Sequence, residues 1–148
     1  MNEDNIREIG FFVQSGNTEI TIPDDIKLFL NKLLKESYNK ESYLLNYIFV
    51  SPEDITELNR QFLNHDYPTD VITFDFSEDF GVFGGDIFIC PDVVFQNADD
   101  FGAEAMEELI RVMCHGLLHL LGYNDRADQE RLEMLEQEEY CLAMFRTR

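Results

Sequence analysis

His115 and His119 are the residues of this 148-residue chain best placed to do chemistry. They stand four apart within residues 112–121, a run that is otherwise nearly all apolar. Four residues is about one helical turn, so on a helix both imidazoles leave the same face and can share a metal ion. Gly122 follows the run where a helix commonly ends, because glycine takes the left-handed turn without a Cβ clash. Past that stop, Asp125 can swing back toward the two rings. Two nitrogens and one carboxylate oxygen, with a fourth position open, match the ligand count of a catalytic zinc site and not of a closed structural one. The alternative is a buried helix whose histidines hydrogen-bond to core carbonyls.

Zinc peptidases commonly carry Glu directly after the first His, as general base. Here that position is Gly116, which cannot take a proton. The spacing therefore points to metal-assisted hydrolysis and away from an ordinary peptidase. Cys114 adjoins His115 but lies about 100° round the helix, a poor place for a ligand to the same ion. Cys90, Cys114 and Cys141 are an odd number without Cys-x-x-Cys spacing, so they read as buried thiols.

The elements that must position these groups follow from periodicity. Residues 6–14 and 19–22 read as short strands, with Gly16-Asn17 as a turn between or beside them. Pro23-Asp24-Asp25 opens a helix whose core stripe is Ile26, Phe29, Leu30, Leu33 and Leu34. Residues 45–50 form an apolar strand, and Ser51-Pro52 is a cap and first turn for a second helix with an apolar edge of Ile55, Leu58 and Phe62. A loop over 64–69 leads to a strand over 70–76 with a period of two. Residues 77–85 read as an acidic, mobile loop, and 85–90 as a strand paired in a hairpin with the one before.

Residues 91–99 suggest a helix with Val93, Val94 and Phe95 inward, broken at Phe101-Gly102. The two-histidine helix then runs over 103–121, with Met106, Leu109, Ile110, Met113, Leu117, Leu120 and Leu121 on one stripe. The histidines share the opposite side with Glu104, Glu108 and Val112, so that face should open into a cleft. Asn124 or Asp125 caps a last, Glu-rich helix over 126–145.

Charge limits the partners. A net charge of −19 runs against a simple nucleic-acid binder, because phosphate contacts rely on Lys and Arg. All four lysines fall within residues 27–40, where a solvated helix face is the plain reading. The N-terminal residues lack the pattern of a signal peptide, and the apolar runs are about half the roughly 20 residues that a membrane span needs. A cytoplasmic address is expected.

The stretch His115-Gly116-Leu117-Leu118-His119-Leu120-Leu121-Gly122-Tyr123-Asn124-Asp125 resembles the signature of the YbeY family of metal-dependent endoribonucleases, H-G-x-L-H-L-x-G-Y-D-H. Leu58-Asn59 through Phe62 and then Pro68-Thr69-Asp70-Val71-Ile72-Thr73-Phe74 are similar to the family's L-N-x-x-Y-R and P-T-D-V-L-S-F. Gly85-Asp86-Ile87 is similar to its G-D-I. Two departures stand out. The family's third histidine falls at Asp125, an acceptable zinc ligand whose negative charge should leave a bound water less acidic. The family's arginine falls at Leu63, and Arg111 or Arg60 could supply the missing positive charge as a catalytic residue.

The resemblance implies a single-strand endoribonuclease acting in maturation of the 3′ end of small-subunit (16S) ribosomal RNA and in ribosome quality control. It further implies one Zn²⁺ per chain held by His115, His119 and Asp125, although nickel or iron would accept the same ligands. Partners would be ribosomal RNA and ribosomal or ribosome-assembly proteins, with neither DNA nor membrane expected. Thr69, Asp70 and Asp86 lie in the shared motifs and suit either catalysis or turn capping. Two other readings stand beside this one: an assembly factor whose metal is mainly structural, and a hydrolase of another small substrate. The expected fold is α+β: one domain over residues 1–148, with a small mixed sheet of about four strands and the two-histidine helix packed against it.

Overall fold

The computed structural model describes residues 5–14 and 20–148 of the chain. Strand β1 (Arg7–Val13) is followed by helix α1 (Asp24–Lys32), whose last turns widen into a π-helical segment over Leu33–Ser37. Then come β2 (Tyr43–Phe49), α2 (Pro52–Leu63), β3 (Val71–Asp75), the one-turn helix α3 (Ser77–Phe80) and β4 (Gly84–Ile89). Helices α4 (Pro91–Phe101), α5 (Ala105–Leu120) and α6 (Asp128–Arg146) complete the chain. No helix among the described residues is long and apolar enough to cross a membrane.

The sheet order is β1-β2-β4-β3. β1 with β2 and β2 with β4 are parallel, while β3 runs antiparallel to β4 in the expected hairpin, with Thr73 opposite Ile87. The mixed four-strand sheet of an α+β fold is therefore present. β2 alternates without a break: Tyr43, Leu45, Tyr47 and Phe49 are buried while Leu44, Asn46 and Ile48 are half-buried. That alternation sends one set of side chains into a large core with α1, α4, α5 and α6. Ile48, Ile72, Phe74 and Phe88 form a smaller core on the opposite face with Ile55 and Leu58 of α2.

The stripe of α1 is buried as expected at Ile26, Phe29, Leu30, Leu33 and Leu34. Ser51 caps α2 by accepting from Asp54 N–H at 3.1 Å, with Pro52 in the first turn. The three cysteines are free and buried. Some expectations give way. Residues 20–22 form no strand, and the rest of that stretch, with the Gly16-Asn17 turn, lies outside the described residues. Residues 77–80 make a helical turn instead of loop, because Asp75 accepts from Ser77 N–H at 2.8 Å and starts it. α6 begins at Asp128 behind Ala127, whose N–H is taken by Glu130 Oε1 at 2.9 Å. Neither Asn124 nor Asp125 caps it, which leaves Asp125 free for other work.

α5 owes its position to a close approach. A Cβ on Gly116 would lie 2.7 Å from Ile87 Cγ2 and 3.2 Å from Thr73 Oγ1. Only glycine lets the helix sit this near β3 and β4. Tyr47 Oη donates to the Met113 carbonyl at 3.0 Å and fixes the same helix to β2.

Candidate metal centre

α5 presents both histidines on the side facing β3, at the edge of the sheet. The helix stops in a Schellman turn: Gly122 N–H donates to the His119 carbonyl and Tyr123 N–H to the Leu118 carbonyl, each at 3.0 Å, with Gly122 at φ 104°. The reversal returns the chain so that Asp125 faces the rings. His115 Nε2 and His119 Nε2 are 3.0 Å apart, and Asp125 Oδ2 is 3.4 Å from each. Ligands about 2.0–2.1 Å from a tetrahedral centre stand about 3.3 Å from one another. The triangle thus has the size that zinc requires, and its donor set of two imidazoles and a carboxylate suits such an ion. Among the described residues it is the one His, Cys, Asp and Glu group of this kind.

Glu138 of α6 orients His115. Its Oε2 accepts from His115 Nδ1 at 2.7 Å and its Oε1 from Arg111 Nη1 at 3.1 Å, with the side chain only 7% exposed. A carboxylate can only accept, so Nδ1 carries the proton and Nε2 turns its lone pair toward the triangle. Burial, the largest influence, pushes the His115 pKa down, but the bond and charge of Glu138, with Asp125 and Asp70, outweigh it and hold the group above the ordinary range. Burial and the neighbouring His115 hold His119 below it. His119 therefore gives up its proton at lower pH than His115 does.

The triangle lines a cleft of about 510 Å³. Its other walls are the edge strand β3, Leu63 and Thr69-Asp70 before the strand, and Asn124 with Arg126 beside Asp125. Asp75 lines it too but is occupied at the start of α3. Among the described residues the Asp70 carboxylate has one weak hydrogen-bond partner, Thr69 Oγ1 at 3.4 Å. Asp86 points elsewhere, accepting from Asn46 Nδ2 at 3.0 Å.

The structure brings His115, His119 and Asp125 together and separates the two arginines. Arg111 is next to His115 in a smaller adjoining pocket, where its guanidinium reaches Glu108 at 3.4 Å, Glu138 at 3.1 Å and Glu139 at 3.3 Å. Arg60 is on exposed α2, bonded to Asp66 through Nε at 3.0 Å and paired with Glu57, and it does not line the cleft. The third histidine, His65, stacks on Tyr67 in the exposed loop before β3. Sequence reasoning missed Glu138. The signal was faint: a Glu in a helix full of Glu, with no local feature that selects one for burial.

The family model described as endoribonuclease YbeY matches residues 12–146. Endoribonuclease YbeY from Parabacteroides distasonis is 47% identical over 114 residues, covering 77% of this chain and 80% of the relative. Its counterpart from Cytophaga hutchinsonii is 43% identical over 137 residues, covering 92% and 94%. The solution structure of a Thermotoga maritima protein superposes with a TM-score of 0.67 at 32% identity, covering 93% of this chain and 88% of that one.

Proposed function

Because the chain belongs to the YbeY endoribonuclease family, we propose that it is a zinc-dependent endoribonuclease that cuts single-stranded RNA. Its task is maturation of the 3′ end of small-subunit (16S) ribosomal RNA and ribosome quality control, in the cytoplasm, with ribosomal or ribosome-assembly proteins as partners. The whole chain acts as one hydrolase domain. The observation that carries this reading is the triangle of His115 Nε2, His119 Nε2 and Asp125 Oδ2, with sides of 3.0, 3.4 and 3.4 Å, at the wall of a cleft of about 510 Å³.

His115, His119 and Asp125 would hold a divalent cation, which when bound would supply Lewis acidity toward a water and a phosphoryl oxygen. The chain's own residues do the rest. Glu138 fixes the tautomer of His115 and Arg111 neutralises Glu138, so the ligand stays oriented without a free charge behind it. Asp70 faces the cleft with one weak partner and is the carboxylate available to take a proton from the attacking water. Position 116 has no part in proton transfer, since any side chain there would point into Ile87 and Thr73.

One feature favours a second reading. A net charge of −19 suits docking on basic ribosomal proteins, as a binding factor whose metal is structural. The deciding experiment takes protein purified without a nickel column, measures its metal by elemental analysis, and incubates it with a single-stranded RNA carrying the 16S 3′ end. Near-stoichiometric zinc and cleavage abolished by chelator and by His119→Ala are expected. Tightly bound zinc with no cleavage overturns the nuclease in favour of the binding factor.

A further inference from the structure

We propose that Arg126 binds the substrate phosphate in this chain, taking over from another element the positive charge that the family pattern places at Leu63. The inference rests on the nuclease reading above. Leu63 lines the cleft and is 50% exposed, so the position where the family carries arginine does face the substrate space, and here it presents an apolar side chain. Among the described residues Arg126 is the one Lys or Arg that lines the same cleft. It is also free. Arg60, Arg111, Arg131, Arg146 and Arg148 each pair with a carboxylate, while Arg126 forms no ion pair among the described residues, in a chain with 30 acidic and 11 Lys or Arg residues.

Its neighbour Asp125 does not neutralise it, being turned to His115 and His119 at 3.4 Å. Charge balance gives the residue its purpose. Asp70, Asp75 and Asp125 line the cleft, and Arg126 together with a divalent cation offsets all three. Without Arg126 the cleft keeps net negative charge and repels a phosphodiester. A guanidinium one residue beyond the third ligand offers two parallel N–H donors to the phosphate oxygens.

The test uses full-length protein and an uncleavable 2′-O-methyl oligonucleotide, with binding followed by fluorescence anisotropy over a range of salt. Arg126→Ala should weaken binding roughly tenfold and reduce the slope of log K against log salt by about 0.7 relative to wild type, the loss of one contact to a single strand. With cleavable RNA, KM should rise more than kcat falls. Arg126→Lys should recover part of the affinity. Adding Leu63→Arg to Arg126→Ala should recover the affinity and the slope, which a merely structural role for Arg126 would not produce. A wild type that cuts RNA beside an Arg126→Ala protein with unchanged affinity and slope overturns this assignment alone. A wild type that holds metal yet neither binds nor cuts RNA overturns the nuclease reading and this assignment with it.

Discussion

Replacing Glu138 with Gln isolates the group that prepares His115 for a metal. The carboxylate spends one oxygen on His115 Nδ1 at 2.7 Å and the other on Arg111 Nη1 at 3.1 Å. An amide keeps only one acceptor, so whichever donor it satisfies, the other meets its NH₂. A hydrogen bond to a charged partner contributes about 1.5–3 kcal/mol. The Arg111 half of that loss is discounted, because Arg111 is 32% exposed and keeps Glu108 and Glu139. The His115 half falls on orientation and basicity, and outer-sphere partners of this kind are worth about 10–100-fold in metal affinity.

Chelator competition on Glu138→Gln should therefore give a zinc Kd higher by that factor. A stability loss of about 2 kcal/mol should lower Tm by about 4–8 °C in a domain of this size. In the metal-free variant, NMR titration should find the His115 pKa lower than in wild type, since the groups that raise it begin with Glu138. Glu139→Gln serves as the control: that carboxylate is 58% exposed, touches Arg111 and makes no bond to His115. If Glu138→Gln binds zinc as tightly as wild type and its His115 titrates unchanged, the carboxylate does not orient the ligand and the reasoning fails.

The other predictions draw on the same geometry. With a folded pKa raised above the ordinary 6.5, His115 keeps its proton to a higher pH than a free histidine, so zinc affinity should fall as pH drops through that raised value, about tenfold per pH unit. In metal-free protein the sign reverses: the bond between protonated His115 and Glu138 stabilises the fold fully below the unfolded pKa, and this is lost as pH rises through the folded one, as melting curves at several pH values will record. Gly116→Ala should destabilise by about 1–3 kcal/mol in urea denaturation, despite a gain of about 1 kcal/mol in helix propensity, because its Cβ meets Ile87 at 2.7 Å; a stability gain would contradict the close approach of α5 to the sheet. Asp125→His should retain zinc and carry RNA cleavage to lower pH, since three neutral ligands leave more of the cation's charge uncompensated; an unmoved acid limb in the pH profile would count against Asp125 as a ligand.

Much of the site is legible in the chain because its signals are local. The spacing of His115 and His119, the stop at Gly122 and the carboxylate three residues later all belong to one helix and its terminal turn. The buried stripe of α1 and the Ser51 cap of α2 are local too, and both form. What escapes is set by packing between distant elements. Gly116 reads in sequence as a lost base, and only the nearness of Ile87, on a strand 29 residues earlier, makes it a packing residue. Glu138 gains its role from facing both Arg111 and His115 across the α5–α6 contact, whereas neighbouring Glu139 reaches Arg111 but makes no bond to His115. Nor does the pattern of strands reveal that β4 lies between β2 and β3 and leaves β3 as the edge beside the histidines.

That edge position explains how a fold of this size makes room for a substrate. Gly116 draws α5 so close to Thr73 and Ile87 that the histidine side of the helix overhangs the edge strand, and among the described residues no further strand lies beyond β3 to fill the space. His115 and His119 stand on a helix locked by Tyr47 and Glu138. Asp125 is 41% exposed on the short segment between the Schellman turn and α6. Metal binding therefore asks little of α5 and much of residues 121–127, which it would tether over the cleft together with Arg126. If His115, His119 and Asp125 hold a cation, the segment that carries Asp125 is fixed with it, and Arg126, the one Lys or Arg among the described residues that lines the cleft, is placed one residue away.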